Sequence, residues 1–136
     1  MKKNILVAQS GGPTSAINAT LAGVIQTSLI SSQIDIVYGS LNGVEGILQE
    51  NFIDLTEIFQ STMDIEELAH TPSAALGSCR LKLKDYKEDD SQYKKIIEVF
   101  RKKEIGIFIY FCSDLYGIFP STNFGVFLFF FQLFKV

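Results

Sequence analysis

Two adjacent glycines, Gly11 and Gly12, stand between an apolar run and Pro13 in the stretch VAQSGGPTSAINATLAGV. A pair of residues without Cβ atoms lets an anion approach the main chain closely. A helix pattern begins directly afterwards, and the first N–H groups of a helix have no partners inside it. Together with the positive end of the helix dipole, those groups favour a phosphate at this corner. The same string also serves as a plain strand-to-helix turn that holds no ligand. It matches neither G-x-G-x-x-G nor the G-K-[ST] ending of a P-loop.

Arg80, in GSCR, is the second candidate, placed behind the small residues Gly77 and Ser78. Its planar guanidinium suits bidentate contact with a nearby phosphate, and equally suits a solvated place at the head of a charged loop. His70 is the sole histidine and has no Cys or Asp pattern around it, so it reads as a helix-end residue. Asp89 and Asp90 fall where a helix cap is wanted, a better account of them than a metal site. Cys79 and Cys112 are isolated thiols without CxxC spacing. They suggest neither a disulfide scaffold nor a zinc site, and a reducing cytoplasm is the expected location.

These groups need elements to hold them. Asn4 to Ala8, NILVA, is a continuous apolar run of the kind a buried parallel strand uses. Pro13 suits the first turn of the following helix, whose apolar face carries Ile17, Leu21, Val24, Ile25 and Leu29. IDIVYG, from Ile34 to Gly39, is a second strand, so the first forty residues form a βαβ unit. An Asn-Gly turn and a short amphipathic turn follow in LNGVEGILQENFIDLT. STMDIEELAH is a short helix with Ser61 or Thr62 as its cap. TPSAALGSCRLKLKDYKEDD is a loop with a charged, exposed rim. Tyr93, Ile96, Ile97 and Phe100 then mark a helix closed by Arg101, Lys102 and Lys103, and EIGIFIYF is a third buried strand. The layout predicts an α/β fold, a three-layer sandwich with a mainly parallel sheet.

Composition sets the class. With 136 residues, 47% apolar and 20% charged, the chain is one domain's worth of globular material. Its net charge of -3 implies no general affinity for nucleic acid or an anionic membrane. Residues are unevenly distributed, however. Nine of the twelve phenylalanines lie at or after Phe108, and after Glu104 the only charged residues are Asp114 and Lys135. The expected division is therefore 1–110 and a divergent Phe-rich tail at 111–136. FGVFLFFFQLF, eleven residues of that tail, falls short of the ~20 that a membrane-spanning helix needs.

Taken together, ILVAQSGGPTSAINATLAGVI, YGSLNGVEGIL, TPSAALGSCRLKL and KIIEVFRKKEIGIFIY resemble the N-terminal part of the 6-phosphofructokinases. The likeness is greatest to the branch that includes pyrophosphate-dependent enzymes, and it runs over residues 4 to 110. It implies a truncated N-terminal phosphofructokinase domain. The implied activity is phosphoryl transfer from ATP or pyrophosphate to the 1-hydroxyl of fructose 6-phosphate, with Mg2+ as cofactor. It further implies that Gly11 and Gly12 lie against the donor's phosphates and that Arg80 neutralises charge on the transferring group. Family members are homo-oligomers.

The chain departs from the family after its third strand. Where the family has a glycine-rich loop of the type GGDD, GGDG or GGND, this sequence has Cys112, Ser113 and Asp114. Asp114 is the one candidate left for the metal. The T-I-D-N-D segment that carries the family's general base has no counterpart in these 136 residues. No catalytic residue is therefore assigned, and the expectation is a donor-site fragment without turnover. A stand-alone phosphate- or nucleotide-binding module is the alternative. The loss of charge and of family likeness at one point suggests out-of-frame translation of AT-rich coding sequence. On that reading, a one-base shift downstream of codon 110 restores a GGND-like loop followed by T-I-D-N-D; the nucleotide sequence checks it.

Overall fold

The computed structural model describes residues 2–10, 15–79, 81, 83–112 and 125–130. Its centre is β1 (Lys3–Ser10), which pairs in parallel with β2 (Ile34–Ser40) on one side and with β4 (Ile105–Cys112) on the other. Two antiparallel strands complete the sheet, β3 (Phe52–Asp54) beside β2 and β5 (Gly125–Phe130) beside β4. The order is β3-β2-β1-β4-β5. The three strands expected from sequence form the parallel centre, and both edges are additions to that expectation.

Alternation along β1 explains its unbroken apolar run. Ile5 and Val7 face one side of the sheet and Leu6 and Ala8 the other, and both sides are covered. On the first side lie α1 (Ser15–Ile30), α3 (Leu55–Ile58) and α4 (Thr62–His70), packed through Leu21, Ile25, Leu55, Ile65 and Leu68. On the second lie α2 (Gly43–Leu48) and α5 (Ser91–Lys102), through Val44, Ile47, Val99 and Phe100. The rings of Phe100 and Phe108 meet at 5.2 Å, which ties α5 to β4. The result is the three-layer α/β sandwich.

Helix faces differ slightly from the sequence pattern. In α1 the buried stripe is Ile17, Asn18, Leu21, Ala22, Ile25 and Ser28, whereas Leu29 is 42% exposed. Seven residues make almost two full turns, so Ser28 returns beneath Leu21, while Leu29 keeps the azimuth of the stripe but stands next to last in the helix. In α5 Val99, seven residues after Gln92, is buried, and Ile97 is rotated off that face and exposed.

Caps and polar bridges fix the ends of the elements. Ser61 Oγ accepts the Asp64 N–H at 3.1 Å, and so caps α4 as the sequence suggested. At α5 the Asp89 carboxylate accepts the Ser91 N–H at 3.0 Å, while Asp90 pairs with Lys94. The buried Asn4 side chain donates to the Lys103 carbonyl at 2.8 Å and accepts from the Ile36 N–H at 3.1 Å. The β1–β2 register shifts between Lys3 and Ile5, where Ile36 turns to Asn4. Glu50 sits past the end of α2 and accepts from Lys102 at 3.0 Å. That hydrogen bond is the main cause that holds its carboxyl below the usual range. Among the described residues no helix is long and apolar enough to cross a membrane.

Two helical glycines make opposite predictions. A Cβ at Gly23, within α1, meets nothing within 4 Å. Gly23→Ala is expected to stabilise by about 0.5–1 kcal/mol, since alanine has the higher helix propensity. A Cβ at Gly46, in α2, collides with the Leu41 carbonyl oxygen and Ser40 Oγ. Gly46→Ala is expected to cost about 1–3 kcal/mol. Urea denaturation of the two variants measures both signs.

Candidate functional site at the carboxyl ends of β1 and β2

In an open parallel sheet, ligands bind beyond the carboxyl ends of the strands. Here β1 ends at Ser10 and α1 starts at Ser15, so the Gly11–Gly12 stretch spans the step between them. Gly11, Gly12, Arg80 and Asp114 lie outside the described residues. What the structure shows is the frame around the first three.

That frame contains the small-residue part of the loop read from TPSAALGSCRLKLKDYKEDD. Residues 71–79 lie against the ends of β1 and β2, with Pro72, Ser73, Ala75 and Ser78 still exposed. Leu76 is 2% exposed and packs in the same cluster as Val7 and Val37. A Cβ at Gly39 would lie 2.8 Å from Leu76 Cδ2 and 3.1 Å from Leu55 Cδ1, so these two leucines pack directly over this β2 residue. The charged part of the loop, from Lys84 to Glu88, is exposed as expected.

Two wholly buried side-chain amides hold the segment. Gln9, next to last in β1, accepts the Leu76 N–H at 3.0 Å through Oε1. Its Nε2 donates to the Ile17 carbonyl at 3.3 Å and to Asn18 Oδ1 at 3.5 Å. Asn18, in the first turns of α1, donates through Nδ2 to the carbonyls of Thr71, at 2.8 Å, and Ser73. Asn18 Oδ1 also accepts the Ala75 N–H at 2.9 Å. Both protons and both acceptor directions of the Asn18 amide are thus used. A buried amide left unpaired would cost several kcal/mol in an apolar interior, on the order of 2–7.

The turn after β2 supplies a third anchor. Asn42 adopts a left-handed conformation with φ 62, and its N–H donates to the Leu76 carbonyl at 2.8 Å. Gly43 follows with φ 63, and a Cβ there would sit 2.9 Å from Cys79 Sγ and 3.0 Å from the Gln9 carbonyl oxygen. Those two atoms flank the same point. The residue that precedes Arg80 is therefore a close neighbour of the residue two before Gly11. Gly77, with φ 72, has room only for hydrogen, because a Cβ would meet Asn42 Oδ1 at 2.5 Å.

Neither Gln9 nor Asn18 was singled out from the sequence. The available signal was a polar residue on an apolar face: Asn18 shares a stripe with Leu21, Ala22 and Ile25. Among the described residues, no three His, Cys, Asp or Glu side chains cluster as a metal site would require. The magnesium expectation rests on Asp114, outside those residues.

A central parallel sheet with helices on both faces defines an α/β domain. Residues 4–114 match the phosphofructokinase family model, and the chain belongs to that family. A pyrophosphate--fructose 6-phosphate 1-phosphotransferase of Methylococcus capsulatus is 46% identical over 109 residues, 79% of this chain and 26% of that protein. The crystal structure of a pyrophosphate-dependent phosphofructokinase from Marinobacter aquaeolei is 45% identical with a TM-score of 0.68. That of Nitrosospira multiformis is 42% identical with a TM-score of 0.71. Each structural match covers 81% of this chain and 26% of the solved one. The chain thus spans about a quarter of the length of the relatives it matches.

Gly43→Ala tests the anchoring of this corner. Its positive φ and the two close contacts predict a loss of about 1–3 kcal/mol in urea denaturation. Faster alkylation of Cys79 than in the unmodified chain, read by peptide mass mapping, is expected alongside.

Proposed function

We propose that this chain forms the donor side of a pyrophosphate-dependent phosphofructokinase site. In this reading the N–H groups at the Gly11–Gly12 turn and the start of α1 receive the pyrophosphate oxygens, and Arg80 approaches from the 71–79 segment. A single observation carries it: the atoms of Gln9 and Cys79 crowd one point beside Gly43, so the chain entering Arg80 runs next to the chain entering Gly11. The relatives support pyrophosphate over ATP, since those at 40–46% identity are named for pyrophosphate.

The chemistry asked of these groups is positioning and charge neutralisation, which are the main protein contributions to phosphoryl transfer. Main-chain N–H groups fixed by α1 hold one phosphate without reorganising. A guanidinium offers two parallel N–H donors to the other, matched to the charge on the transferring group. The acceptor in the whole protein is fructose 6-phosphate. Magnesium would neutralise further donor charge, with Asp114 the residue of this chain assigned to it. No group here is assigned to take the acceptor's proton, so binding without turnover is the function proposed for these 136 residues.

Titration calorimetry with sodium pyrophosphate tests the reading. Saturable binding is expected, abolished in Gly12→Val, where a side chain fills the turn. Arg80→Ala is expected to weaken it about 10- to 100-fold, the loss of a charged hydrogen-bonding partner. Absence of binding to the unmodified chain, or equal binding by Gly12→Val, overturns the proposal. In the same preparation no phosphorylation of fructose 6-phosphate is expected.

A further inference from the structure

We infer that Gln9 and Asn18 are positioning residues, which act on the donor anion through Arg80 by holding residues 71–79 to the start of α1. The inference rests on the donor-site reading above and adds to it the device that sets the distance between its two halves. Asn18 lies in the first turns of α1, the helix start to which the donor-site reading assigns the anion's main-chain donors. Its side chain grips Thr71, Ser73 and Ala75, and Gln9 grips Leu76 and Ile17. One helix start therefore fixes both the anion's main-chain donors and the segment that leads to the arginine.

Nothing apolar could replace this pair without loss of geometry. Leucine or methionine would fill the space, yet at position 9 would leave the buried Leu76 N–H without its acceptor and at position 18 would remove the acceptor of the Ala75 N–H. Packing alone also permits sliding, because apolar contact is non-directional. Hydrogen bonds from a helix and a strand to four successive parts of one segment do not.

Asn18→Asp is the discriminating substitution. It keeps the acceptor for the Ala75 N–H and removes both donors to Thr71 and Ser73, with little change in volume. Three measurements on the 136-residue chain decide: hydrogen exchange at Ala75 and Leu76, exchange at β1 and β4, and pyrophosphate affinity by calorimetry. Asn18→Asp is expected to speed exchange at Ala75 and Leu76 while β1 and β4 keep their protection, and to weaken pyrophosphate about tenfold. In the Arg80→Ala background the same substitution is expected to change affinity less than about twofold, because the arginine it positions is gone. Gln9→Glu, which retains the acceptor for Leu76, is expected to behave likewise should Asn18→Asp fail to fold.

Equal losses of affinity in both backgrounds would show a general structural effect and overturn the inference. So would unchanged exchange at Ala75 and Leu76, or a released segment with unchanged affinity. An unmodified chain that binds no pyrophosphate refutes the donor-site reading, and with it the action through Arg80. The exchange data then still separate that failure from a failure of the clamp itself.

Discussion

β1 is enclosed on all sides. Strands lie along both of its edges and helices over both of its faces, so Leu6, Val7, Ala8 and Gln9 have no exposed surface. A strand so enclosed leaves its chain one exit, the carboxyl end, and whatever follows must turn in a confined space. Small residues are the physical answer to that confinement, before any ligand is considered. The polar Gln9 at the last enclosed position is the other half of the constraint. Its amide cannot reach water, so the 71–79 segment and α1 must come to it.

Much of the architecture is legible from apolar spacing. The NILVA run, the stripe on α1 and the EIGIFIYF run name the central strands and the crossover, because enclosure on both faces demands unbroken apolarity. The cap at Ser61 and the acidic pair Asp89–Asp90 ahead of α5 are equally plain. The edges are not. Phe52–Asp54 is three residues long, and its pairing with Tyr38–Ser40 depends on the position of β2 more than on its own pattern. β5 lies in a segment with almost no charge, where no polar residue breaks the pattern to show a face.

The candidate site divides in the same way. Gly11, Gly12 and Arg80 announce themselves by type, and the roles proposed for them follow from family likeness. The partners that bring the two parts of the chain together do not. Asn18 and Ala75 are 57 residues apart, and the hydrogen bond between them uses a side chain that local pattern assigns to neither loop nor cap. The 71–79 segment reads only as a small-residue loop. Amides supplied from β1 and α1 take up the backbone groups of Thr71, Ser73, Ala75 and Leu76, and this lets Leu76 lie in the core.

The direction of β5 has a bearing on how the corner could be closed. Cys112 pairs with Gly125 and Ile107 with Phe130, so β5 descends alongside β4. By Phe130 the chain is roughly 17 Å below the level of Cys112, taking 3.3 Å for each of five residues. It leaves the sheet at the rim opposite the glycine turn. A return from Phe130 to the level of Ser10 spans the full height of the strands, whereas Cys112 and Gly125 already stand at that level.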